Sequence, residues 1–201
     1  MTTVLLQTTY FGPVQWYQKL HRYDHVLIEQ YDSYQKQTYR NRCIIATANG
    51  RQSLTVPMEH NSQFVKDLRI SDHNQWRRIH WNALQSAYSE SPFFEYYADD
   101  IRPFFEKKYS FLVDFNEEIR QKMCELIDIR PHVKYTTAYQ TTVHTPYLDF
   151  RNVIHAKHPQ PDCDFCLKKY WQVFQHKYGF QANLSILDLL FCMGPESIFY
   201  L

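Results

Sequence analysis

The pattern of apolar and polar positions changes along the chain, from short strand-like runs to helical spacing after residue 72. Residues 3–7 and 25–29 are brief apolar runs of the kind that form buried strands. The segment between them has the spacing of a helix, with apolar residues at Val14, Tyr17 and Leu20. A strand, a helix and a strand in this order predict a parallel βαβ unit, whose ligands usually collect at the carboxyl ends of the strands.

A β-hairpin is predicted over residues 42–56. Two strand-like runs flank the sequence ANGR, in which Asn49 and Gly50 are the preferred pair for a two-residue type I′ turn. Pro57 then ends the second strand, because proline cannot donate to a strand ladder.

Helical spacing dominates from residue 72 to residue 130. One helix is predicted to be capped by Asp72 and stopped at Ser91-Pro92, and more helix is expected around 93–108 and from Asp114. The apolar stripe of the first helix consists of Trp76, Ile79, His80, Ala83, Leu84, Ala87 and Tyr88.

The last part of the chain is predicted to return to a strand over residues 133–139. A proline-containing loop follows over 145–162, and two helices are predicted over 166–178 and 185–193. In the second of these helices, Ser185 and the acidic residue three positions later resemble a capping box.

These elements predict an α/β fold in one domain of residues 1–201. A small mixed sheet is expected from the βαβ unit and the hairpin within 1–60, packed by several helices. Residues 72–130 would be helical, and 131–201 would hold a strand, a loop and the two last helices.

Composition narrows the classes of function. The chain has only 4 glycines, so it cannot form a glycine-rich phosphate loop. Its 22 basic and 21 acidic residues give a net charge of +1, which argues against a dedicated nucleic-acid binder. No run is long enough for a membrane span, and the N-terminal apolar run is too short for a signal peptide. The 5 cysteines are therefore expected to be reduced thiols in a cytoplasmic protein, whose oligomeric state the sequence leaves open.

The basic segment SYQKQTYRNRC, residues 33–43, is a candidate anion site. Lys36, Arg40 and Arg42 lie among amide side chains, and guanidinium groups bind phosphate or carboxylate with two parallel hydrogen bonds. If the segment is extended, Arg40 and Arg42 share one face and Asn41 lies on the other. The alternative is a charged sheet edge that prevents aggregation.

A second candidate is a cluster of potential metal ligands. His155, His158, Cys163 and Cys166 give the spacing H-x2-H-x4-C-x2-C, which would suit zinc in a tight loop, and zinc would fit an RNA-binding protein. The alternative is a surface loop in which these residues have no common ligand.

Two further residues are candidates for acid–base chemistry. His80 lies on the buried stripe and could act as a general base, or it could be a core histidine bonded to the backbone. Asp188 could orient such a base, or it could only help to cap its helix.

Several motifs together resemble those of the WbqC-like protein family. They are TTYFGPVQWYQKL, YQKQTYRNRC, the NG-containing hairpin that ends in LTVP, and NLSILDLLFCMGPES, and they extend from the first strand to the C-terminus. The sequence is most similar to the branch found in Bacteroides-like bacteria. The resemblance implies a cytoplasmic protein of surface-polysaccharide (O-antigen) biosynthesis. Glycine transfer has been suggested as the activity of this family.

The recurrent residues of the family fall on defined positions of this chain: Gln7, Tyr10, Lys36, Arg40, Asn41, Arg42, Pro57, Asn183, Ser185, Asp188, Gly194 and Pro195. The chain departs from the family at Thr8, where many members have proline, and at Cys192, where many have asparagine.

The combined expectation is a transferase acting on an anionic small molecule, such as a nucleotide-activated sugar or an aminoacyl donor. The three basic residues would hold the anion, and Gln7, Tyr10 and Asn41 would orient the acceptor. The helix that begins at Ser185, preceded by Asn183, would close the site with its free N–H groups. The alternative is a non-catalytic binding or adaptor protein that uses the same cleft.

Overall fold

The computed structural model, which describes residues 2–59, 62–141 and 147–201, contains a four-stranded parallel sheet. The strands are β1 (Thr3–Gln7), β2 (His25–Glu29), β5 (His132–Tyr135) and β6 (Tyr147–Asp149), in the order β5-β2-β1-β6. The chain therefore adds β2 and then β5 on one side of β1, and later adds β6 on the other side of β1. The winding direction reverses between β1 and β6.

The predicted βαβ unit is confirmed, with α1 (Val14–Arg22) between β1 and β2. The Trp16 indole donates to the carbonyl oxygen of Gln7 at 2.9 Å and fixes the helix against the end of β1. Lys19 on α1 is completely buried, and its Nζ lies 2.9 Å from a carboxylate oxygen of Asp162 and 4.3 Å from the centre of the Phe150 ring. The loop after β6 therefore covers α1, and the pair of opposite charges makes this burial tolerable.

The predicted hairpin is also present, but it forms a two-stranded sheet of its own. It consists of β3 (Arg42–Thr47) and β4 (Gly50–Thr55), joined by Ala48 and Asn49. The type I′ turn predicted at Asn49 and Gly50 is wrong: Thr47 pairs with Gly50, so Ala48 and Asn49 form the turn. Neither of these two residues has a positive φ, whereas Gly50, which begins β4, has one of 99°. A type I′ turn would force Ala48 into the left-handed region, where a Cβ atom is unfavourable.

The predicted helical region contains four α-helices: α2 (Trp76–Tyr88), α3 (Phe94–Ile101), α4 (Pro103–Glu106) and α5 (Leu112–Leu126). Short 3-10 turns lie before them at Val65–Asp67 and His73–Gln75. Asp72 does not cap α2, because its carboxylate pairs with Arg77 at 2.5 Å and with Lys108 at 3.0 Å. No helix in the described part of the chain has both the length and the apolar surface needed to cross a membrane.

The C-terminal part differs from the prediction in three elements, the first being the strand predicted over 133–139, which is the shorter β5 (His132–Tyr135). The helix expected over 166–178 is limited to its last turn, α6 (Gln175–Tyr178). Its first residues are held by tertiary contacts: the Gln18 side chain bonds both the N–H and the carbonyl of Cys166, at 3.0 and 2.8 Å. The predicted loop 145–162 contains β6, and residues 145 and 146 lie outside the described residues.

The helix α7 (Ile186–Met193) was predicted correctly and lies in the middle of the molecule, followed by a 3-10 segment over Gly194–Tyr200. Its residues 186–192 are all buried. The Ser185 hydroxyl accepts a hydrogen bond from the N–H of Leu187 and donates one to the carbonyl of Phe11 at 2.8 Å. The N–H of Ser185 bonds the carbonyl of Ile44 in β3. One residue thus connects α7, the loop after β1 and the hairpin.

We predict that Ser185→Ala lowers the free energy of unfolding by about 1–2 kcal/mol, because it removes the helix cap and a buried hydrogen bond. Urea denaturation monitored by circular dichroism measures the change. Ser86→Ala on the exposed face of α2 is the matched control, and it should change stability by less than about 0.5 kcal/mol. Equal effects of the two substitutions would contradict the role of Ser185.

Candidate functional site

A basic recess of about 360 Å³ opens between the segment 34–42 and the end of the hairpin. Lys36 is exposed at this recess, and Arg42 is half-buried. The remaining lining residues are Tyr34, Gln37, Asn41, Thr55, Val56, Pro57, Met58 and His73. The recess therefore combines two cations with several amide and hydroxyl groups, which is the chemistry expected of an anion site.

Pairing with β4 builds this recess. The Nε atom of Arg42 donates to the Thr55 hydroxyl at 3.1 Å, which orients the guanidinium along the recess. Asn41 is joined to Val56 by two hydrogen bonds, from its side-chain amide to the carbonyl and from the N–H of Val56 to the carbonyl of Asn41. The expectation that Arg40 and Arg42 share a face is wrong: Asn41 and Arg42 line the recess, whereas Arg40 turns into the interior. Because β3 begins only at Arg42, strand alternation does not extend back to Arg40.

A second recess of about 220 Å³ adjoins the first and shares Thr55, Pro57 and His73 with it. Its other lining residues are Asn74, Trp76, Ile79 and His80. Ile79 is 52 % exposed, which is a high value for a large apolar side chain. The two recesses therefore form one cleft with a basic end and an apolar end.

His73 lies where the two recesses meet, and the sequence analysis did not select it. Its Nδ1 atom is 2.6 Å from the Ser71 hydroxyl, so Nε2 remains for a ligand. The next two residues, Asn74 and Gln75, have positive φ angles of 61° and 48°. Asparagine tolerates such a backbone, but it is unfavourable for Gln75, and functional sites often contain backbone of this kind. The only signal in the sequence is the polar run before Trp76, of which the sequence analysis uses only Asp72, as a helix cap.

His80 borders the apolar end of the cleft, but its ring nitrogen Nδ1 is engaged in the core. Its Nδ1 atom is 2.9 Å from the hydroxyl of Tyr10, which is itself fully buried. Burial lowers the pKa of His80 from 6.5 to about 4, and a hydrogen bond with the Thr55 backbone opposes this shift only partly. A buried imidazole with a lowered pKa and an occupied Nδ1 is a poor general base, and the geometry favours the core-histidine interpretation.

Asp188 lies away from the cleft, enclosed in the core. Its carboxylate accepts hydrogen bonds from the Tyr88 hydroxyl, the Tyr170 hydroxyl and the Gln172 amide, each at 2.8 Å. Burial raises the pKa of Asp188, and these three donors oppose the shift. The catalytic role predicted for Asp188 is not supported, because the carboxylate does not reach the solvent or His80.

The predicted closure of the site by α7 is also absent. The N–H groups of Ile186, Leu187 and Asp188 are bonded to Gly12, to the Ser185 hydroxyl and to the Ser185 carbonyl. Asn183 exchanges two hydrogen bonds with Gln15, both at 2.9 Å. The helix terminus therefore bonds the chain itself, and neither Asn183 nor Ser185 borders the basic recess.

Gln7 and Arg40 lie at the carboxyl edge of the parallel sheet, and each is 1 % exposed. One guanidinium nitrogen of Arg40, Nη2, pairs with the carboxylate of Asp32, whereas Nη1 is buried without a partner. The Gln7 amide donates to the carbonyl of Ile154, and its oxygen Oε1 is likewise buried without a partner. The sequence analysis grouped both residues with Lys36 and Arg42, whereas neither Gln7 nor Arg40 lines the basic recess.

The structure does not assemble the predicted zinc cluster. Among the residues it describes, no group of three or more histidine, cysteine or acidic side chains is placed to bind a metal ion. The rings of His155 and His158 lie 5.7 Å apart, and Nδ1 of His155 accepts hydrogen bonds from the N–H groups of residues 157 and 158. Cys163 and Cys166 are exposed free thiols in a turn held against α1.

Comparison with known sequences finds a matching family and a related protein. The sequence pattern of the WbqC-like protein family matches residues 7–158. The uncharacterised protein Rv1507c of Mycobacterium tuberculosis is 26 % identical over 202 residues, covering 89 % of this chain and 87 % of that protein. No solved structure matches the chain.

The buried histidine predicts a pH dependence of stability. Unfolded His80 binds a proton near its ordinary pKa of 6.5, whereas folded His80 binds one only near pH 4. Protons therefore favour the unfolded chain as the pH falls through this window, and about 2 kcal/mol of stability is lost between about pH 7 and about pH 4.5.

Urea titrations at a series of pH values test this linkage. The slope of unfolding free energy against pH should become smaller in His80→Gln, and it should stay unchanged in His158→Gln, which alters an exposed histidine. Parallel curves for the wild type and His80→Gln would show that His80 does not carry the effect.

Proposed function

Because the chain belongs to the WbqC-like protein family, we propose that it is a transferase acting on an anionic small molecule in the biosynthesis of a surface polysaccharide. The ligand would be a nucleotide-activated sugar or an aminoacyl donor, used in the cytoplasm. The observation that carries the proposal is the cleft of two joined recesses, with cations at one end and apolar side chains at the other.

The basic end would hold the phosphate or carboxylate of the ligand. Lys36 offers a mobile ammonium group, and Arg42 offers a guanidinium that Thr55 already orients. These two cations attract an anionic ligand, and the attraction is stronger at low salt. In the described residues, the groups that line this recess include no aspartate or glutamate, so an anion would meet no like charge there.

The apolar end would hold the neutral part of the ligand. Pro57, Trp76 and Ile79 provide a surface on which a sugar ring or a base can pack, and such contacts fix the orientation of the reacting atoms. His73 would lie beside the bond between the neutral part and the anionic part, since it borders both recesses.

In the transfer step, His73 would act as the proton acceptor. The acceptor hydroxyl or amine attacks the activated carbon of the donor, its proton passes to Nε2 of His73, and the bond to the leaving phosphate breaks. The Ser71 hydroxyl at Nδ1 would hold the ring in place, and Lys36 and Arg42 would stabilise the charge of the leaving group.

A non-catalytic binding protein is the second candidate function. It is favoured by the burial of His80 with its Nδ1 bonded to Tyr10, and by the enclosure of Asp188, which leave the cleft without the predicted base and its helper. Such a protein would use the same cleft as a sensor or adaptor. Binding alone therefore does not separate the two functions, and turnover does.

We predict that nucleotide sugars raise the melting temperature of the wild type in a thermal-shift assay, because the basic recess binds their phosphates. The double variant Lys36→Gln/Arg42→Gln should lose this shift. Lys169→Gln removes an exposed charge far along the chain and is the control that should keep it. If no phosphate- or carboxylate-bearing ligand shifts the wild type, the proposed anion site is wrong.

We predict further that His73→Gln lowers the rate of transfer by at least about 100-fold while the thermal shift remains, because a proton acceptor contributes to rate more than to binding. Mass spectrometry of reactions with candidate donors and acceptors detects the product. Ligand binding without product from any donor and acceptor pair would favour the non-catalytic function.

A further inference from the structure

The two cations of the basic recess have no anionic partner within the described part of the protein. Neither Lys36 nor Arg42 takes part in any of the ion pairs that the described residues form. Arg40, which lies between them in the chain, is in contrast paired with Asp32 and does not line the recess. The recess therefore presents two uncompensated positive charges to the solvent.

Arg42 is oriented so that its outer nitrogen atoms remain available. Its Nε donates to the Thr55 hydroxyl at 3.1 Å, which fixes the plane of the guanidinium. The side chains and backbone of the described residues leave Nη1 and Nη2 without a hydrogen bond. These two groups can donate in parallel to two oxygens of one phosphate, and the half-buried position of Arg42 strengthens such a contact.

Lys36 is held at the recess by a tight turn over residues 35–38. The buried Thr38 closes the turn, since its hydroxyl donates to the carbonyl of Gln35 at 3.0 Å. Gln37, which also lines the recess, has a positive φ of 62°. This backbone is unfavourable for glutamine, so the fold around the turn must hold it in place. The position of the Lys36 backbone is therefore fixed, whereas its exposed ammonium group can move to meet a ligand.

The surroundings of the recess leave its positive charge in place. Its lining, within the part of the chain that the structure describes, includes no aspartate or glutamate. Asp72 directly precedes the lining residue His73, but its carboxylate pairs with Arg77 and Lys108. A ligand with two negative charges therefore matches the recess better than a ligand with one, because each charge adds to the attraction.

The two ligand classes of the proposed function differ in this charge. A nucleoside diphosphate sugar carries two negative charges on its pyrophosphate at neutral pH. An aminoacyl adenylate carries one negative charge on its phosphate and a positive ammonium group on its aminoacyl part, so its net charge is close to zero. Lys36 and Arg42 would repel that ammonium group. The charge of the recess therefore favours the sugar nucleotide.

We propose that the basic recess selects a nucleoside diphosphate sugar, and that Lys36 and Arg42 neutralise its pyrophosphate in the manner of a divalent cation. This inference rests on the proposed function, because it concerns the ligand of the same cleft. Proteins hold a Mg²⁺ ion on a phosphate ligand through one or two carboxylates. The described lining offers cations in place of carboxylates, so Mg²⁺ competes with the recess for the pyrophosphate.

Isothermal titration calorimetry of the full chain with UDP-glucose, GDP-glucose and ADP-glucose tests the proposal. At least one of them should bind in EDTA, and its affinity should not rise when MgCl₂ replaces EDTA at equal ionic strength. The 5′-O-glycylsulfamoyl derivative of the same nucleoside represents the aminoacyl donor. It should bind at least about tenfold more weakly than the sugar nucleotide, because its net charge is close to zero.

Variants of the two cations assign the effect to the recess. Lys36→Gln and Arg42→Gln should each weaken binding of the sugar nucleotide by about tenfold, the value of one hydrogen bond to a charged group. Arg42→Lys keeps the charge but loses the pair of parallel donors, so it should weaken binding less than Arg42→Gln does. Lys169→Gln, which changes an exposed lysine outside the recess, should have no effect. Circular dichroism confirms that each variant is folded.

The outcomes separate this inference from the proposed function. If no sugar nucleotide binds in either buffer, the anion site of the proposed function is wrong, and this inference is wrong with it. If binding tightens by more than about twofold on adding Mg²⁺, the anion site stands and a metal ion, rather than the two cations alone, neutralises the pyrophosphate. Equal affinity for the glycylsulfamoyl derivative likewise overturns only the selection of a sugar nucleotide.

Discussion

The burial of α7 is the constraint on which the rest of the structure depends. An apolar helix in the middle of a protein must have its backbone N–H groups and its one carboxylate satisfied without water. Ser185 and Gly12 satisfy the first turn, and Tyr88, Tyr170 and Gln172 satisfy Asp188. Since these partners come from the loop after β1, from α2 and from the segment before α6, the helix fixes the relative positions of the parallel sheet, the hairpin and the helical region.

This constraint also explains why several conspicuous polar residues do not form the cleft. A residue that recurs in a motif can be required for folding as strictly as for function, and the motif alone does not separate the two. Asn183, Ser185 and Asp188 have all their principal hydrogen-bonding groups engaged within the chain. The recess, in contrast, is lined by Lys36 and Arg42, which have solvent beside them and can exchange water for a ligand at little cost.

The segment 34–42 faces two different environments. Arg40 turns inward to Asp32 and to the carboxyl edge of the parallel sheet, whereas Asn41 and Arg42 turn outward to the hairpin and the basic recess. A single basic run in the sequence therefore serves two environments with different chemistry. One is buried and holds a fixed guanidinium among carboxylates, and the other is open and holds cations that solvent can reach.

The sequence by itself determined β1, α1, β2, the hairpin and α7, because each has a local signal in its apolar period, its turn residues or its cap. It also identified Lys36, Asn41 and Arg42, which the cleft brings together, because their chemistry is visible in the residue types. Tertiary structure decided the rest. The segment 166–174 has a helical pattern, but Gln18 holds Cys166 in another conformation. His73 became a site residue only because the turn 73–75 lies against Pro57, and Arg40 left the recess only because Asp32 binds it inside. Some of these contacts join residues that are far apart in the chain, and others depend on which residues the fold buries. A local sequence pattern therefore does not predict them.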